Sequence, residues 1–318
     1  MTEHALSAGT PSTAPLLADF LEWPSEHIIP LLRDKTVTLS TSGTSRWYFL
    51  EHGNAHEGYD TRQQFEHYGR RVIQRTLEIA DMIFADGVRT LFIVGFGGGQ
   101  ARRDPAYLEN MRWSYRMLVD EHTRRIYDGY DIGVLFRGDW GRIFGELGAV
   151  DLSGPFAQIE EETAGRERWL IWFVPDAHIP PAVVPLVQRR LAETGQPPTR
   201  QEMAAVYYGR PLDAVDILIG NNKPGVAGAC PPLLTLRDLY FTVSPITYLE
   251  RRQWRHVVYD HLFNRRGHFR QFRTMQPEAL EEMRQFYTAH RDDVIGLGRY
   301  DPDTQTWRPL PFAWDGEG

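Results

Sequence analysis

Four short runs of β-branched and aromatic residues restrict what this chain can fold into: VRTLFIVGF at 88–96, DIGVLFRGDW at 131–140, RERWLIWFV at 166–174 and VDILIG at 215–220. Each is apolar almost throughout, without the polar alternation of a half-solvated strand, so each reads as a strand buried on both faces. The segments between them carry helical periodicity. In 62–86, Val72, Leu77, Ile79, Ile83 and Phe84 share one face and Asp86-Gly87 closes the helix; 105–128 and VVPLVQRRLAET follow the same logic. TVTL, from Thr36, opens the series and LYFTVSP at 239–245 adds a sixth strand. The predicted fold is α/β, a central mostly parallel sheet of about six strands flanked by helices, with ligands bound outside the carboxyl ends of the strands. The expected organisation is an N-terminal arm with short helices over 1–35, one catalytic domain over 36–300 and a C-terminal tail over 301–318.

Composition narrows the function. A net charge of −7 argues against a dedicated nucleic-acid binder, so any phosphate site has to be local. The single cysteine, Cys230, allows no intramolecular disulfide and fits a reducing compartment. The first 17 residues lack the basic start and apolar run of a signal peptide, and no run of about 18 apolar residues exists, so a cytoplasmic protein without a transmembrane segment is expected.

The chemistry concentrates in TVTLSTSGTSRWYFLE, 36–51. A strand runs out into Ser42, Gly43, Thr44, Ser45 and Arg46, then into Trp47, Tyr48 and Phe49. Hydroxyls, backbone N–H groups and a guanidinium at a sheet's carboxyl edge suit an oxyanion such as diphosphate. Aromatic walls beside such an anion suit ionisation of an allylic diphosphate, with donors on the leaving group and π-faces on the carbocation. A turn whose aromatics merely pack in the core is the competing reading.

Other motifs carry less. VGFGGGQ at 94–100 matches neither the dinucleotide fingerprint nor the P-loop, and no lysine follows, which leaves a flexible connection beside a cleft or a nucleotide site as alternatives. HGNAH at 52–56 reads as a surface loop, because Gly53 and Asn54 break the helix that would align its histidines. The seven arginines of 250–273 read as a solvated helix face, and QIEEET at 158–163 as a solvated acidic run.

SGTSRW resembles the DGNxRW loop that ends the first strand of cis-prenyltransferases. GVLFRGDWGRI at 133–143, VDILIG at 215–220 and DLYFT at 238–242 resemble further family elements in the family's order. Within that superfamily, GTSRWYFLE, GQPPTRQEM with VYYG, DLYFTVSP and YDHLF are most similar to the branch of tuberculosinyl transferases and isotuberculosinol synthases. That branch ionises an already cyclised diterpenyl diphosphate. The similarity spans about residues 36–298 and implies a prenyl-synthase fold, commonly a homodimer, acting on an isoprenoid diphosphate.

Carried over by position, the resemblance assigns Gly43, Thr44 and Arg46 to the diphosphate loop, with Ser42 and Ser45 beside them. Tyr68 and Tyr107 match pocket tyrosines that face the cation, and Trp47 and Phe96 would complete the pocket. The departures are as informative. The family's magnesium-binding loop aspartate is Ser42, a loop arginine is Ser45, and a C-terminal diphosphate arginine is Gly220 with Lys223 nearby. Asp238 stands where the family keeps a glutamate and is the one carboxylate offered to a metal, so the resemblance leaves Mg²⁺ open as a cofactor. These losses argue against polyprenyl chain elongation. They leave a diterpene synthase or prenyltransferase-like enzyme, with Arg46, Tyr68 and Tyr107 as its catalytic residues, or a non-catalytic partner subunit of the same fold.

Overall fold

The computed structural model describes residues 14–53, 61–95, 105–141, 152–175, 180–226, 230–265, 276–304 and 306–310. Two short helices, α1 (Leu17–Leu21) and α2 (Ser25–Leu32), precede β1 (Thr36–Ser40), α3 (Thr44–His52), α4 (Thr61–Ala85) and β2 (Thr90–Val94). Then come α5 (Pro105–Arg116), α6 (Glu121–Gly129), β3 (Ile132–Gly138), α7 (Ser153–Glu162) and β4 (Arg168–Val174). The chain continues through α8 (Val184–Thr194), α9 (Arg200–Tyr208), β5 (Ala214–Asn221), β6 (Thr235–Thr242), α10 (Arg251–Tyr259) and α11 (Pro277–Ala289), and a hairpin, β7 (Gly298–Asp301) with β8 (Thr306–Pro309), follows.

The first six strands form one sheet in the order β3-β4-β2-β1-β5-β6, with every pairing parallel. The chain first builds outward from β1 through β2 and later returns to its other side with β5. The carboxyl end of β1 therefore lies at the point where the winding reverses, the crevice in which open α/β sheets bind ligands. Ser40 pairs with Val94 and Leu39 with Ile219, so the residues just past β1 meet the ends of β2 and β5 at one level.

The apolar strands sort their side chains to two cores. Leu91, Ile93, Val134, Phe136, Leu170 and Trp172 join the core under α4, whereas Phe92, Val94, Leu135, Ile171 and Phe173 join the one under α9. A sheet covered on both faces explains why these strands show no polar alternation. Gly138 ends β3 at φ +100°, and a Cβ there would lie 1.7 Å from the Val174 carbonyl oxygen, so only glycine fits. Among the described residues, no helix is long and apolar enough to cross a membrane.

Several expectations change. The helix predicted over 105–128 is two helices, because the Asp120 carboxylate accepts the Thr123 N–H at 2.9 Å and restarts the chain as an N-cap. The arginine-rich segment is not uniformly solvated. Arg255, on α10, is buried and pairs with Asp86 at 3.1 Å, while its Nη1 donates to the Leu21 and Trp23 carbonyls at 2.8 and 2.6 Å. Nor is QIEEET only a solvated run: Glu160 takes the Phe136 N–H at 2.8 Å and the Arg137 guanidinium at 2.6 Å. The hairpin of β7 and β8 crosses the boundary expected at residue 300 and gives structure to part of the anticipated tail. Residues 1–13, Gly97, Gly98 and Gly99 of the 94–100 motif, His56, and Arg266, Arg270 and Arg273 of the arginine-rich segment lie outside the described residues.

Candidate active site

Past Ser40, the Thr41 backbone and hydroxyl both donate to the Val94 carbonyl, at 3.0 and 2.8 Å, tying the loop to the end of β2. Gly43 then turns through φ +78° and acts as the N-cap of α3. Residues expected as a loop are thus a strand end, one left-handed glycine and the first turn of a helix. A helix start leaves backbone N–H groups without intrahelical acceptors and points the positive end of the peptide dipoles outward.

The space over Gly43 is narrow and lined by donors. A Cβ on Gly43 would stand 2.8 Å from Asn221 Nδ2, 3.2 Å from Arg46 Nη2 and 3.3 Å from Pro245 Cβ. Arg46 has no ion-pair partner among the described residues. The Ser42 hydroxyl donates to Asn221 Oδ1. Ser45 is exposed beside it on the first turn of α3. Lys223 is exposed two residues past the end of β5.

From this turn the site runs inward. Thr44 Oγ1 and Tyr68 Oη, the latter on α4, are 2.6 Å apart. Both line a cavity of about 70 Å³ whose walls include Val72, Ile73, Met111, Tyr115 and Trp172. Tyr115 donates its hydroxyl to the Gly95 carbonyl at 2.6 Å, and Trp172 donates to Tyr127 Oη at 2.9 Å. Burial raises the Tyr68 hydroxyl from an ordinary value near 10 to about 12, opposed in part by the Thr44 hydrogen bond and supported by Tyr107. Burial likewise pushes Tyr115 well up, with Tyr68 and Tyr107 adding to it. Tyr68 and Tyr115 therefore keep their protons in ordinary solution. Tyr107 packs against the core on this side of the sheet but does not line this cavity.

A second cavity, of about 340 Å³, lies on the outer side of the same turn. Arg46 and Leu50 of α3, Asn222, Val243 and Pro245 form one side, and Thr306, Trp307, Arg308 and Pro309 of β8 close it. Thr44 and Arg46, two residues apart, therefore face different chambers.

Of the residues singled out from sequence, Ser42, Gly43, Thr44, Arg46 and Tyr68 come together. Trp47 is buried with its ring edge-on to His52 at 5.4 Å and lines neither cavity. Phe96 lies outside the described residues. Asp238 stands apart: it pairs across to Ile217, whereas Asn221 at the site pairs with Thr242. Its carboxylate is engaged by His261 Nδ1 at 2.6 Å and Arg265 at 3.5 Å. Burial lowers the His261 pKa, against the raising influence of Asp238. The loop offers a cation only a hydroxyl and an amide, next to a guanidinium, and among the described residues no three His, Cys, Asp or Glu side chains group as metal ligands. A divalent cation does not fit that donor set. Sequence reasoning missed Asn221, Tyr115 and Trp172. The last two sit inside apolar patterns that read simply as core.

The same all-parallel sheet and helical layers occur in solved structures. The chain is similar to lavandulyl diphosphate synthase from Lavandula x intermedia, solved in complex with dimethylallyl diphosphate, with TM-score 0.55 and 12% identity over 74% of this chain and 98% of that one. It is similar to a probable undecaprenyl diphosphate synthase from Campylobacter jejuni, with TM-score 0.51 and 11% identity over 75% and 98%. The fold is that of these cis-prenyl diphosphate synthases. Among individual proteins, it is 26% identical over 291 residues to tuberculosinyl adenosine transferase of Mycobacterium tuberculosis (strain CDC 1551 / Oshkosh), covering 88% of this chain and 94% of that one. No protein-family model matches the chain.

Proposed function

We propose that the protein is a prenyltransferase-like enzyme that ionises an isoprenoid diphosphate, a bicyclic diterpenyl diphosphate by preference. The observation that carries this reading is the Thr44–Tyr68 hydrogen bond, which joins a donor-lined turn to a largely apolar cavity. An ionising site needs that adjacency.

In this reading the carbon–oxygen bond breaks heterolytically and its electron pair leaves with diphosphate. Arg46 and the N–H groups at the start of α3 receive the developing negative charge. The hydrocarbon cation is left facing Tyr68, Tyr115 and Trp172, whose π-faces stabilise it by roughly 0.5 to 2 kcal/mol each. Tyr68 keeps its proton, so its hydroxyl can donate to the departing oxygen while its ring serves the cation. Proton loss to the released diphosphate or to water, attack by water, or attack by an acceptor ends the reaction. A volume of about 70 Å³ is below the roughly 300 Å³ at which small-molecule sites begin, so substrate has to widen the inner cavity.

Incubating the purified chain with geranylgeranyl diphosphate and with labdane- and halimane-type bicyclic diphosphates, and measuring diphosphate release and hydrocarbon products, tests the proposal. Release with a diterpene product is the expected result; none from any of these substrates, by protein shown to be folded, would sink it. The second reading, a non-catalytic subunit, is favoured by one observation, the serine at the family's aspartate position. It predicts no release alone and activation of a catalytic partner. The homodimer that the resemblance implies is checked by light scattering on the eluting protein.

A further inference from the structure

We infer that Asn221 is a diphosphate-binding donor and that Ser42 is the residue that positions it, so that the anion is held without a metal ion. The inference rests on the ionising function proposed above and concerns how the same turn carries the charge of diphosphate.

Asn221 is the last residue of β5 and only 6% exposed. Its two amide atoms are used unequally. Oδ1 receives the Ser42 hydroxyl, while Nδ2 is buried with no hydrogen-bond partner among the described residues. A buried NH₂ group without an acceptor is costly, and native structures rarely keep one without a return. This one packs against the Gly43 turn. It lies 2.8 Å from the position a Gly43 Cβ would take, and Arg46 Nη2 lies 3.2 Å from the same position. An amide NH₂ and a guanidinium thus come together beside Gly43, at the start of α3. Donors alone make an oxyanion site, and they repel a divalent cation.

Ser42 then has a positive role. A hydroxyl on Oδ1 turns the NH₂ toward the anion space; an aspartate at this position could only accept, and would draw the NH₂ to itself. The exchange of carboxylate for serine converts a place suited to a cation into the support of a neutral donor. With Asp238 committed to His261 and Arg265, the turn meets the anion with protein groups alone.

The test is titration calorimetry of inorganic pyrophosphate into the full chain, in EDTA and in excess Mg²⁺, run beside the release assay. The wild-type protein should bind pyrophosphate in EDTA. Asn221→Leu should weaken that binding at least tenfold, without recovery in Mg²⁺. Ser42→Ala should weaken it several-fold, and Ser42→Asp should weaken it in EDTA and recover in Mg²⁺, a metal dependence that a purely structural role would not create. Should Asn221→Leu fail to fold by circular dichroism, the exposed Ser42 variants carry the test. Wild-type binding that requires Mg²⁺, or affinities within twofold of wild type in every folded variant, overturns the inference. Metal-free pyrophosphate binding with no turnover of any isoprenoid diphosphate would overturn the proposed reaction and leave the anion site standing. Turnover that needs Mg²⁺, with no pyrophosphate bound in EDTA, would do the reverse.

Discussion

Thr44 Oγ1 and Tyr68 Oη lie 2.6 Å apart, one on the first turn of α3 and the other on α4, and they join the turn after β1 to the inner cavity. If that pair aligns the leaving oxygen with the aromatic wall, Tyr68→Phe should lower kcat about tenfold or more with a smaller change in KM. Thr44→Val should do the same, and the double variant should cost no more than the worse single one, since both remove one hydrogen bond. Steady-state kinetics of the four proteins reads the coupling.

Arg46 has the other decisive position, at the turn and on the wall of the outer cavity. Arg46→Ala removes a charged donor worth about 1.5–3 kcal/mol, which corresponds to a loss of about 10- to 150-fold in kcat/KM. Arg46→Lys should fall between, because it keeps the charge and loses the fork. An unchanged rate in the alanine variant would remove the diphosphate site from this turn.

Alkaline pH supplies a separate check. The folded chain holds the Tyr68 proton up to about 12, against about 10 in an unfolded chain. Between those values the folded state binds the more protons, so stability from this group is whole below about pH 10 and falls as pH rises toward 12. Tyr115 shifts in the same sense. Denaturant unfolding at stepped pH should show the decline, and Tyr68→Phe should make it shallower. Below pH 9 neither tyrosine should appear in the rate profile.

Stability elsewhere depends on the Arg255–Asp86 pair. Asp86 is fully buried, also accepts the Ser25 hydroxyl at 2.6 Å, and through Arg255 binds the ends of α1 and α4 to α10. Removing one member leaves the other charge buried, so Arg255→Leu should destabilise by about 3–5 kcal/mol. Arg255→Leu combined with Asp86→Asn should recover part of that loss. Urea midpoints at constant slope measure both.

The hairpin makes a prediction about the outer cavity. A Cβ on Gly298 would stand 2.2 Å from the Trp307 ring, so Gly298→Ala must displace the ring that closes the cavity. Trp307→Ala opens it outright. Both should raise KM for an isoprenoid diphosphate or its acceptor several-fold; Trp307→Ala should leave unfolding stability within about 0.5 kcal/mol, whereas Gly298→Ala, whose Cβ also meets the Arg308 carbonyl oxygen at 2.4 Å, should cost more.

Much of this was legible before any coordinates. Strands such as TLFIV and RWLIWFV are apolar on both faces, and only a sheet covered on both sides satisfies them. Ser42, Gly43, Thr44 and Arg46 could be found because hydroxyls, glycine and arginine at a strand end have a chemical meaning of their own. Arg255 could not, since nothing local distinguishes it from its solvated neighbours and its partner is 169 positions away. Asn221 was invisible for the same reason: an asparagine ending a strand is ordinary until the fold brings Ser42 to one side of its amide and Gly43 to the other.

That long-range meeting also orders events in the life of the chain. Ser42 and Asn221 are 179 positions apart, and β1 joins β5 only after β2, β3 and β4 have been made. A nascent chain that has emerged as far as β4 carries Arg46, Thr44 and Tyr68 but has no finished anion turn. Pairing across such a separation is slow, because loop closure is paid for before any contact rewards it. The reactive centre is thus completed late, and fragments that end before residue 221 should be inert however well their own helices form.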